Sequence, residues 1–350
     1  MFFSKRKKFY PGKTKNILIT GGAGFLGSHL IDRLIDDANI ICVDSLVGDG
    51  KVNNIKHLLQ KPNFRFLKQN INQPLDLSQF PELNDFRLDI HGLQEIYHLA
   101  CPTSAQNFNQ LRMEILYANS IGTINILELA RQYQAKFLFA SSAVVYGPKM
   151  KVQAPFKETD FGEVNFTDAR ACYDEGKRFS ETAIINYRDI YRLDTKIARI
   201  FRTYGPREPL FDGQMVPDFI LQALNNKPLI IYGDQNFATS LCFIDDMING
   251  IIKLMESEEK EPINLGHPQQ NKLVDLAEKI IKMTGSKSSV EFRGALPFMR
   301  TLGLPDISLA REKLGWFPII RLEEGLEKLI EYIKANRMLL QPLVQKYDQE

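Results

Sequence analysis

A glycine-rich turn between a strand pattern and a helix pattern constrains the fold of this chain more than any other feature. Residues 21–27 read GGAGFLG; they follow the apolar, β-branched run 16–20 and precede a helix-like stretch. In this context Gly21 permits a tight turn, Gly24 lets the backbone approach a pyrophosphate, and Gly27 allows close packing of the helix on the strand. The N–H groups at the start of the helix, together with its dipole, then face the anion. The segment therefore predicts a dinucleotide-binding turn.

A second predicted strand supports the same interpretation because it ends in a carboxylate. The apolar run 39–43 leads directly into Asp44. A carboxylate about 20 residues after the turn accepts hydrogen bonds from both hydroxyls of an adenosine ribose. A 2′-phosphate at this position would meet like charge. The pattern therefore predicts NAD, and not NADP, as the cofactor.

Composition and charge exclude several classes of protein. The chain has 350 residues, a formal net charge of +2 and 25% charged residues, enough for one large domain or two smaller ones. There is no basic stripe, so nucleic acid is not an expected partner. The basic cluster 5–8 lacks the apolar core of a signal peptide, and no apolar run approaches the roughly 18 residues of a membrane helix. Four widely spaced cysteines predict neither a disulfide frame nor a zinc site. We expect a cytoplasmic protein with no metal and no membrane partner.

Strand-like and helix-like segments alternate through the first two thirds of the chain. This alternation predicts an α/β fold with a doubly wound parallel Rossmann sheet. After about Gly205, short apolar segments and turns predict a smaller mixed α/β substrate-binding cap. This cap would form the second wall of a site at the carboxyl ends of the strands. The predicted strands lie at 16–20, 40–44, 65–67, 95–99, 136–140, 196–200 and 229–232. The predicted helices lie at 29–36, 117–133, 174–191, 215–225, 272–283 and 322–335.

The expected domain division follows the same change of character. The units are a basic N-terminal tail (1–14), an NAD-binding Rossmann domain (15–205, rejoined by 229–250), a substrate-binding cap (206–228 and 251–340) and a C-terminal tail (341–350). Within the first domain, residues 75–92 are expected to form an extended surface loop.

Tyr173, Lys177 and Ser142 are the candidates for chemistry on a substrate hydroxyl. Tyr173 and Lys177 are four residues apart at the start of a predicted helix, so their side chains share one face. An ammonium beside a phenol favours the phenolate and lowers the tyrosine pKa, which suits a general base. Ser142 follows the predicted strand 136–140. Its hydroxyl would therefore lie beside the cofactor, where it can hydrogen-bond a substrate alcohol.

Several further motifs occur in a fixed order along the chain. They are the glycine turn, Tyr97-His98-Leu99-Ala100, Asn119 with Gly122-Thr123, Ser141-Ser142, Tyr173 with Lys177, and Tyr204-Gly205-Pro206-Arg207. Over about residues 15–335 this order resembles the extended short-chain dehydrogenase/reductase superfamily, which includes the NAD-dependent epimerase/dehydratase family. Within it, the stretches 98–102, 172–178 and 197–201 resemble those of the UDP-glucuronate decarboxylases.

The resemblance implies a bound NAD that oxidises a sugar transiently at C4. Tyr173 would be the base, Lys177 would orient it, and Ser142 would contact the substrate, which is expected to be a nucleotide sugar. The implied cofactor contacts are Gly21, Gly24, Phe25, Leu26, Gly27, Asp44, Asn70, Leu99, Ala100, Asn119, Ser141, Tyr173 and Lys177. The helices predicted at 117–133 and 174–191 resemble those that pair between subunits in this superfamily, which implies a homodimer.

One departure from the family pattern leaves the reaction open. Val144 stands where the decarboxylases and 4,6-dehydratases carry a glutamate, and an apolar side chain cannot shuttle a proton. The Ser142-Ala143-Val144 pattern instead resembles UDP-sugar 4-epimerases, which need only the hydroxyl, the tyrosine and the lysine.

Other departures concern substrate binding. Thr239 and Gly303-Leu304 replace arginines that the family usually places against the substrate diphosphate. The predicted substrate contacts are therefore Pro102, Ser142, Arg202, Arg207 and Arg300. The sequence predicts an NAD-dependent decarboxylase or 4-epimerase of a nucleotide sugar, or alternatively a dehydrogenase of a non-nucleotide alcohol or ketone. The intact catalytic residues disfavour a third alternative, a non-catalytic NAD-binding protein.

Overall fold

The computed structural model describes residues 15–48, 51–103, 108–148, 155–168, 170–210, 214–233, 238–294 and 303–336. The two expected tails and Arg300 lie outside these ranges. The described strands are β1 (Lys15–Thr20), β2 (Ala38–Asp44), β3 (Phe64–Lys68), β4 (Glu95–His98), β5 (Lys136–Ser142), β6 (Thr195–Ile200), β7 (Thr203–Tyr204), β8 (Leu229–Tyr232), β9 (Ala238–Thr239), β10 (Cys242–Phe243), β11 (Ile263–Leu265), β12 (Asn271–Lys272) and β13 (Val290–Arg293).

Helices connect these strands. They are α1 (Phe25–Leu34), α2 (Leu88–His91), α3 (Arg112–Tyr117), α4 (Thr123–Tyr133), α5 (Ala171–Tyr191), α6 (Met215–Leu224), α7 (Ile244–Glu256), α8 (Leu273–Thr284), α9 (Ser308–Leu314) and α10 (Leu322–Ala335). The helix predicted at 117–133 begins earlier, at Arg112, and a π-helical turn at Ala118–Gly122 separates α3 from α4.

A seven-stranded sheet forms the centre of the fold, in the order β11-β6-β5-β4-β1-β2-β3, with every neighbouring pair parallel. The chain runs outward from β1 through β2 to β3, and then returns to the other side of β1 as β4. The strand order therefore reverses between β1 and β4, where the connections leave in opposite directions and open a crevice. The predicted doubly wound Rossmann sheet is confirmed.

Both faces of the sheet are covered by apolar side chains. Ile17 and Ile19 of β1 belong to one buried cluster, whereas Leu18 between them belongs to a second. Successive residues of a strand point to opposite faces, so the two clusters lie on the two sides of the sheet. The first cluster also contains Phe219 of α6 and Leu326 of α10, which joins the predicted cap region to the core.

Two strands differ from the prediction. β8, expected in the main sheet, pairs instead with β13 in a separate two-stranded sheet. Conversely β11, in a segment expected to belong to the cap, is the edge strand beside β6. Buried and partly exposed residues alternate along β8, as in a sheet with one covered face. The residues of β8 are all apolar or aromatic, so the sequence alone does not show this alternation. β11 has three residues, too few for its periodicity to be read.

The segment 75–92 is not the extended loop that we expected. It contains 3₁₀-helical turns at Leu77–Gln79 and Pro81–Phe86, followed by α2. Leu77, Leu83 and Phe86 are buried in the second apolar cluster, which explains why the segment folds back onto the sheet.

Two further observations concern the helices and the cysteines. None of the helices within the described ranges is long and apolar enough to cross a membrane. Cys42, Cys101, Cys172 and Cys242, which all lie within the described ranges, are not joined by disulfide bonds.

Candidate active site

A cavity of about 820 Å³ lies along the carboxyl ends of the central strands. One wall is formed by the glycine turn and the ends of β2, β4 and β5, and the other includes Met215, Phe219 and Tyr232 from α6 and β8. The predicted site residues that line it are Gly21, Gly24, Phe25, Leu26, Gly27, Asp44, Asn70, Leu99, Ala100, Pro102, Ser141, Ser142, Tyr173, Lys177 and Arg202. The fold thus brings most of the predicted residues to one cleft.

The glycine turn has the geometry that a pyrophosphate requires. Gly21 has φ +71°, and a Cβ atom there would lie 2.8 Å from the Ala100 nitrogen. A Cβ atom at Gly27 would lie 2.2 Å from the carbonyl oxygen of Gly21, so α1 starts in direct contact with the turn. No side chain caps α1, and its first turn contains no acidic residue. The helix N-terminus therefore offers backbone N–H groups and a positive dipole end to an anion.

Asp44 lies next to this turn, at the end of β2. Its Oδ2 accepts a hydrogen bond from the Ala23 N–H at 3.0 Å, and its Oδ1 accepts one from the Leu46 N–H at 2.8 Å. These bonds fix the orientation of the carboxylate. A carboxylate has about four acceptor positions, so they are compatible with further bonds from ribose hydroxyls. The residues around the turn fit NAD as the sequence predicts.

Tyr173, Lys177 and Ser142 meet where α5 crosses the end of β5. The Lys177 Nζ donates a hydrogen bond to the Ala140 carbonyl oxygen at 2.8 Å and lies 5.7 Å from the centre of the Tyr173 ring. The Ser142 hydroxyl is close enough to the Tyr173 phenol to lower the pKa of the phenol through a hydrogen bond. The Ser142 oxygen also accepts a bond from the Val144 N–H at 3.4 Å. This arrangement can exchange a proton with a substrate hydroxyl placed beside the phenol.

The pKa of Tyr173 differs from the expectation. Burial of the phenol raises its pKa well above the ordinary value, and the neighbouring Cys101 acts in the same direction. The hydrogen bond from Ser142 and the charge of Arg170 lower it by less. Burial also lowers the pKa of Lys177. The sequence predicts that Lys177 lowers the pKa of Tyr173. In the protein alone this is wrong, because removal of the phenolate from water raises the pKa by more than nearby cations lower it.

Asn119 and Ser141 have partners behind the cleft surface. Asn119 does not line the cavity; in the π-helical turn, its Nδ2 donates to the Ile115 carbonyl at 2.9 Å and to the Cys101 sulfur at 3.1 Å. Ser141 lines the cleft, but its hydroxyl donates to Glu181 Oε1 at 2.5 Å. Both residues therefore support the walls of the site through their side chains.

The candidate substrate arginines have different locations. Arg202 lines the cleft, where burial lowers its pKa. Arg207 forms an ion pair with Asp32 of α1 at 2.5 Å and does not line the cleft. Arg207 therefore does not take the predicted place in the cleft wall, and its contact with a substrate stays a prediction. Arg300 lies outside the described residues.

The positions that depart from the family pattern are apolar or neutral. Val144 is buried and lines the cleft two residues after Ser142, so a carboxylate is absent at this point of the wall. Thr239 is buried, its hydroxyl bonds the Ser240 carbonyl, and it does not line the cleft.

Four charged residues of the cleft were missed by sequence reasoning: Glu114, Arg170, Glu208 and Asp218. Arg170 immediately precedes α5, and its guanidinium carbon lies 5.5 Å from the centre of the Tyr173 ring. Glu208 and Asp218 also line the cavity, and burial raises the pKa of Glu208 well above its ordinary value. The position of Arg170, three residues before Tyr173 at a helix start, is a signal that could have identified it. No local pattern distinguishes Glu208 or Asp218 from surface acids.

Comparison with known proteins agrees with this geometry. Residues 17–266 match the model of the NAD dependent epimerase/dehydratase family. The chain is 38% identical to UDP-glucuronic acid decarboxylase 1 of Xenopus tropicalis over 323 residues, which cover 92% of this chain and 73% of that protein.

Solved structures show the same relationship. An epimerase of Methanothermobacter thermautotrophicus superposes with TM-score 0.82 and 26% identity, covering 94% of this chain and 95% of that one. UDP-glucuronic acid 4-epimerase of Bacillus cereus, in complex with UDP-glucuronic acid and NAD, superposes with TM-score 0.79 and 27% identity, covering 91% and 99%. The chain belongs to the NAD-dependent epimerase/dehydratase family of extended short-chain dehydrogenases/reductases.

Proposed function

We propose that this protein oxidises a nucleotide sugar at C4 and reduces it again with an NAD that stays bound throughout the cycle. The observation that carries the proposal is the meeting of Ser142, Tyr173 and Lys177 in the cleft that also contains the glycine turn. The similarity to UDP-glucuronic acid decarboxylases over 92% of the chain supports UDP-glucuronate as the substrate.

Each group of cleft residues has its own role in the proposed reaction. The start of α1 holds the pyrophosphate and Asp44 holds the adenosine ribose. Bound NAD would supply reversible hydride transfer at the sugar C4. Tyr173 takes the proton of the C4 hydroxyl, and Ser142 orients that hydroxyl. Burial raises the pKa of Tyr173 in the protein alone, so the phenol would act as a base only once the positive charge of bound NAD adds to that of Lys177 beside it.

Decarboxylation of UDP-glucuronate is the first candidate outcome. Oxidation at C4 places a ketone β to the C6 carboxylate, and a β-keto acid loses carbon dioxide readily. The second candidate is 4-epimerisation, which Val144 favours. This buried side chain offers no proton where the decarboxylases carry glutamate, whereas epimerisation requires only Ser142, Tyr173 and Lys177.

Product analysis tests the proposal. The purified protein with its NAD is incubated with UDP-glucuronate labelled with ¹³C at C6, and the products are followed by NMR. Labelled carbon dioxide identifies the decarboxylase, and a labelled C4 epimer identifies the epimerase; neither produces net NADH. The Tyr173→Phe variant should retain NAD but lose turnover.

Two outcomes would contradict the proposal. One is the absence of turnover and of a thermal shift across UDP-, dTDP- and GDP-sugars. The other is accumulation of NADH in step with consumption of a non-nucleotide alcohol, which would identify the alternative dehydrogenase.

We also propose that the protein is a homodimer. Large apolar side chains remain exposed on α3, on the π-helical turn and on α5: Met113, Leu116, Tyr117, Ile121 and Phe179. Pairing of these helices with those of a second copy would remove the apolar surface from water. The cytoplasmic location and the domain boundaries given above stay predictions.

A further inference from the structure

We propose that Arg170 binds the C6 carboxylate of the substrate sugar and thereby selects uronate sugars over sugars with a neutral C6 group. This inference rests on the proposed function, because it places the C4 hydroxyl of the sugar at Tyr173. It assigns to Arg170 a role in specificity and leaves the proton transfer to Tyr173.

The position of Arg170 is fixed by contacts on two sides. Its Nε donates to the buried Asp174 Oδ1 at 3.3 Å. Its guanidinium carbon lies 5.6 Å from the centre of the Phe108 ring and 5.5 Å from that of Tyr173. The side chain is 20% exposed and lines the cleft. A held guanidinium loses little freedom when it binds a planar anion, and its fork of donors matches a carboxylate.

The chemistry of the sugar explains why this position suits a carboxylate. C6 is separated from C4 only by C5, so the C6 group lies close to the phenol that receives the C4 proton. A cation beside that phenol is therefore within reach of the C6 group. A charge-assisted hydrogen bond is roughly twice as strong as a neutral one, so a carboxylate gains more from Arg170 than a hydroxymethyl group does.

The other guanidinium of the cleft has a different environment. The charge of Arg170 acts on the Tyr173 phenol, whereas Arg202 interacts with Glu208. Arg170 is also close enough to Arg202 for its charge to lower the pKa of Arg202. Two guanidinium groups in one cleft suit a substrate with two anionic groups, and Arg170 is the one beside the phenol of Tyr173.

Binding of two ligands that differ only at C6 tests the assignment. UDP-glucuronate and UDP-glucose are titrated by calorimetry into the NAD-bound protein, with Tyr173→Phe present in every sample to prevent turnover. We expect UDP-glucuronate to bind at least about tenfold more tightly than UDP-glucose. R170Q should weaken UDP-glucuronate by roughly the same factor and change UDP-glucose by less than about twofold.

A matched control and a conservative variant complete the experiment. Arg188 lies on α5, the helix that Arg170 immediately precedes; it pairs with Glu261 and does not line the cleft, so R188Q should change neither affinity. R170K keeps the charge and should retain part of the preference; it also serves where R170Q does not fold.

The outcomes separate this inference from the function on which it rests. Equal losses for both ligands in R170Q or R170K would overturn the assignment, because Arg170 would then contact a part common to both. Unchanged affinities would overturn it also. If neither ligand binds the parent protein, the proposed function fails as well; if both bind equally well, only the role of Arg170 fails.

Discussion

Replacement of Gly27 by alanine should weaken both folding and NAD binding. A Cβ atom at this position would lie 2.2 Å from the Gly21 carbonyl oxygen and 2.6 Å from the Gly22 Cα. Both are backbone atoms, so rotation of a side chain cannot relieve the contacts. The start of α1 must therefore move away from the turn that it helps to form.

Two effects of opposite sign determine the magnitude. Overpacking costs about 1–3 kcal/mol of the free energy of unfolding. Alanine in a helix is more favourable than glycine by roughly 0.5–1 kcal/mol. The contacts at Gly27 are far shorter than an ordinary van der Waals separation, so overpacking should prevail, with a net loss of about 1–2 kcal/mol. Displacement of the helix N-terminus from the pyrophosphate should also weaken NAD binding roughly tenfold.

Gly24→Ala is the matched control. A Cβ atom there meets only the Gly21 oxygen, at 3.2 Å, so the unfolding temperature should change little while NAD binding still suffers. Both variants are measured without nucleotide by thermal unfolding and then titrated with NAD by calorimetry. A Gly27→Ala protein that melts and binds NAD like the wild type would refute the reasoning, since close packing of α1 would then not define the cofactor site.

Three further predictions concern the reaction, the assembly and pH. Val144→Glu should create carbon dioxide release from UDP-glucuronate, or raise it at least roughly tenfold by the same NMR assay; an unchanged rate would count against the importance of this position. Ile121→Glu should convert the proposed dimer into monomers in light scattering, and a wild type that is already monomeric would contradict the proposed interface. Burial, and to a lesser extent the charge of Lys177, lower the pKa of His98 to about 3. The neutral imidazole therefore contributes stability that is complete above its unfolded pKa and is lost as the pH falls from about 6.5 towards 3. Between about pH 7.5 and 5 the free energy of unfolding should decrease by about 2 kcal/mol more in the wild type than in His98→Gln, as urea titrations would show.

The features that the sequence predicts correctly depend on neighbours in the chain. The turn at 21–27 requires particular residues within one strand, one turn and one helix. Tyr173 and Lys177 share a face because of helical geometry alone. Asp44 ends a strand whose apolar run identifies it. In each case the position of the candidate group follows from local backbone structure.

The features that were missed depend on distant contacts. Arg207 pairs with Asp32, 175 residues away, and only the path of the chain after β7 brings them together. Membership of β8 and β11 in their sheets depends on which strand lies alongside, which a short apolar run does not specify. The pKa of Tyr173 depends on burial by several elements, so the spacing of Tyr173 and Lys177 could not indicate it.

The shared apolar core has a consequence for how ligands enter and leave. Side chains of α6, α8 and α10, such as Phe219, Ile280 and Leu326, pack in one continuous cluster with Ile17 and Ile19 of the sheet. Swinging the cap aside as a rigid lid would expose many of these groups at about 1.5–3 kcal/mol each, which together would rival the stability of the whole molecule. Exchange of ligands should therefore proceed through movement at the rim of the cleft, with no hinge between the sheet and the cap.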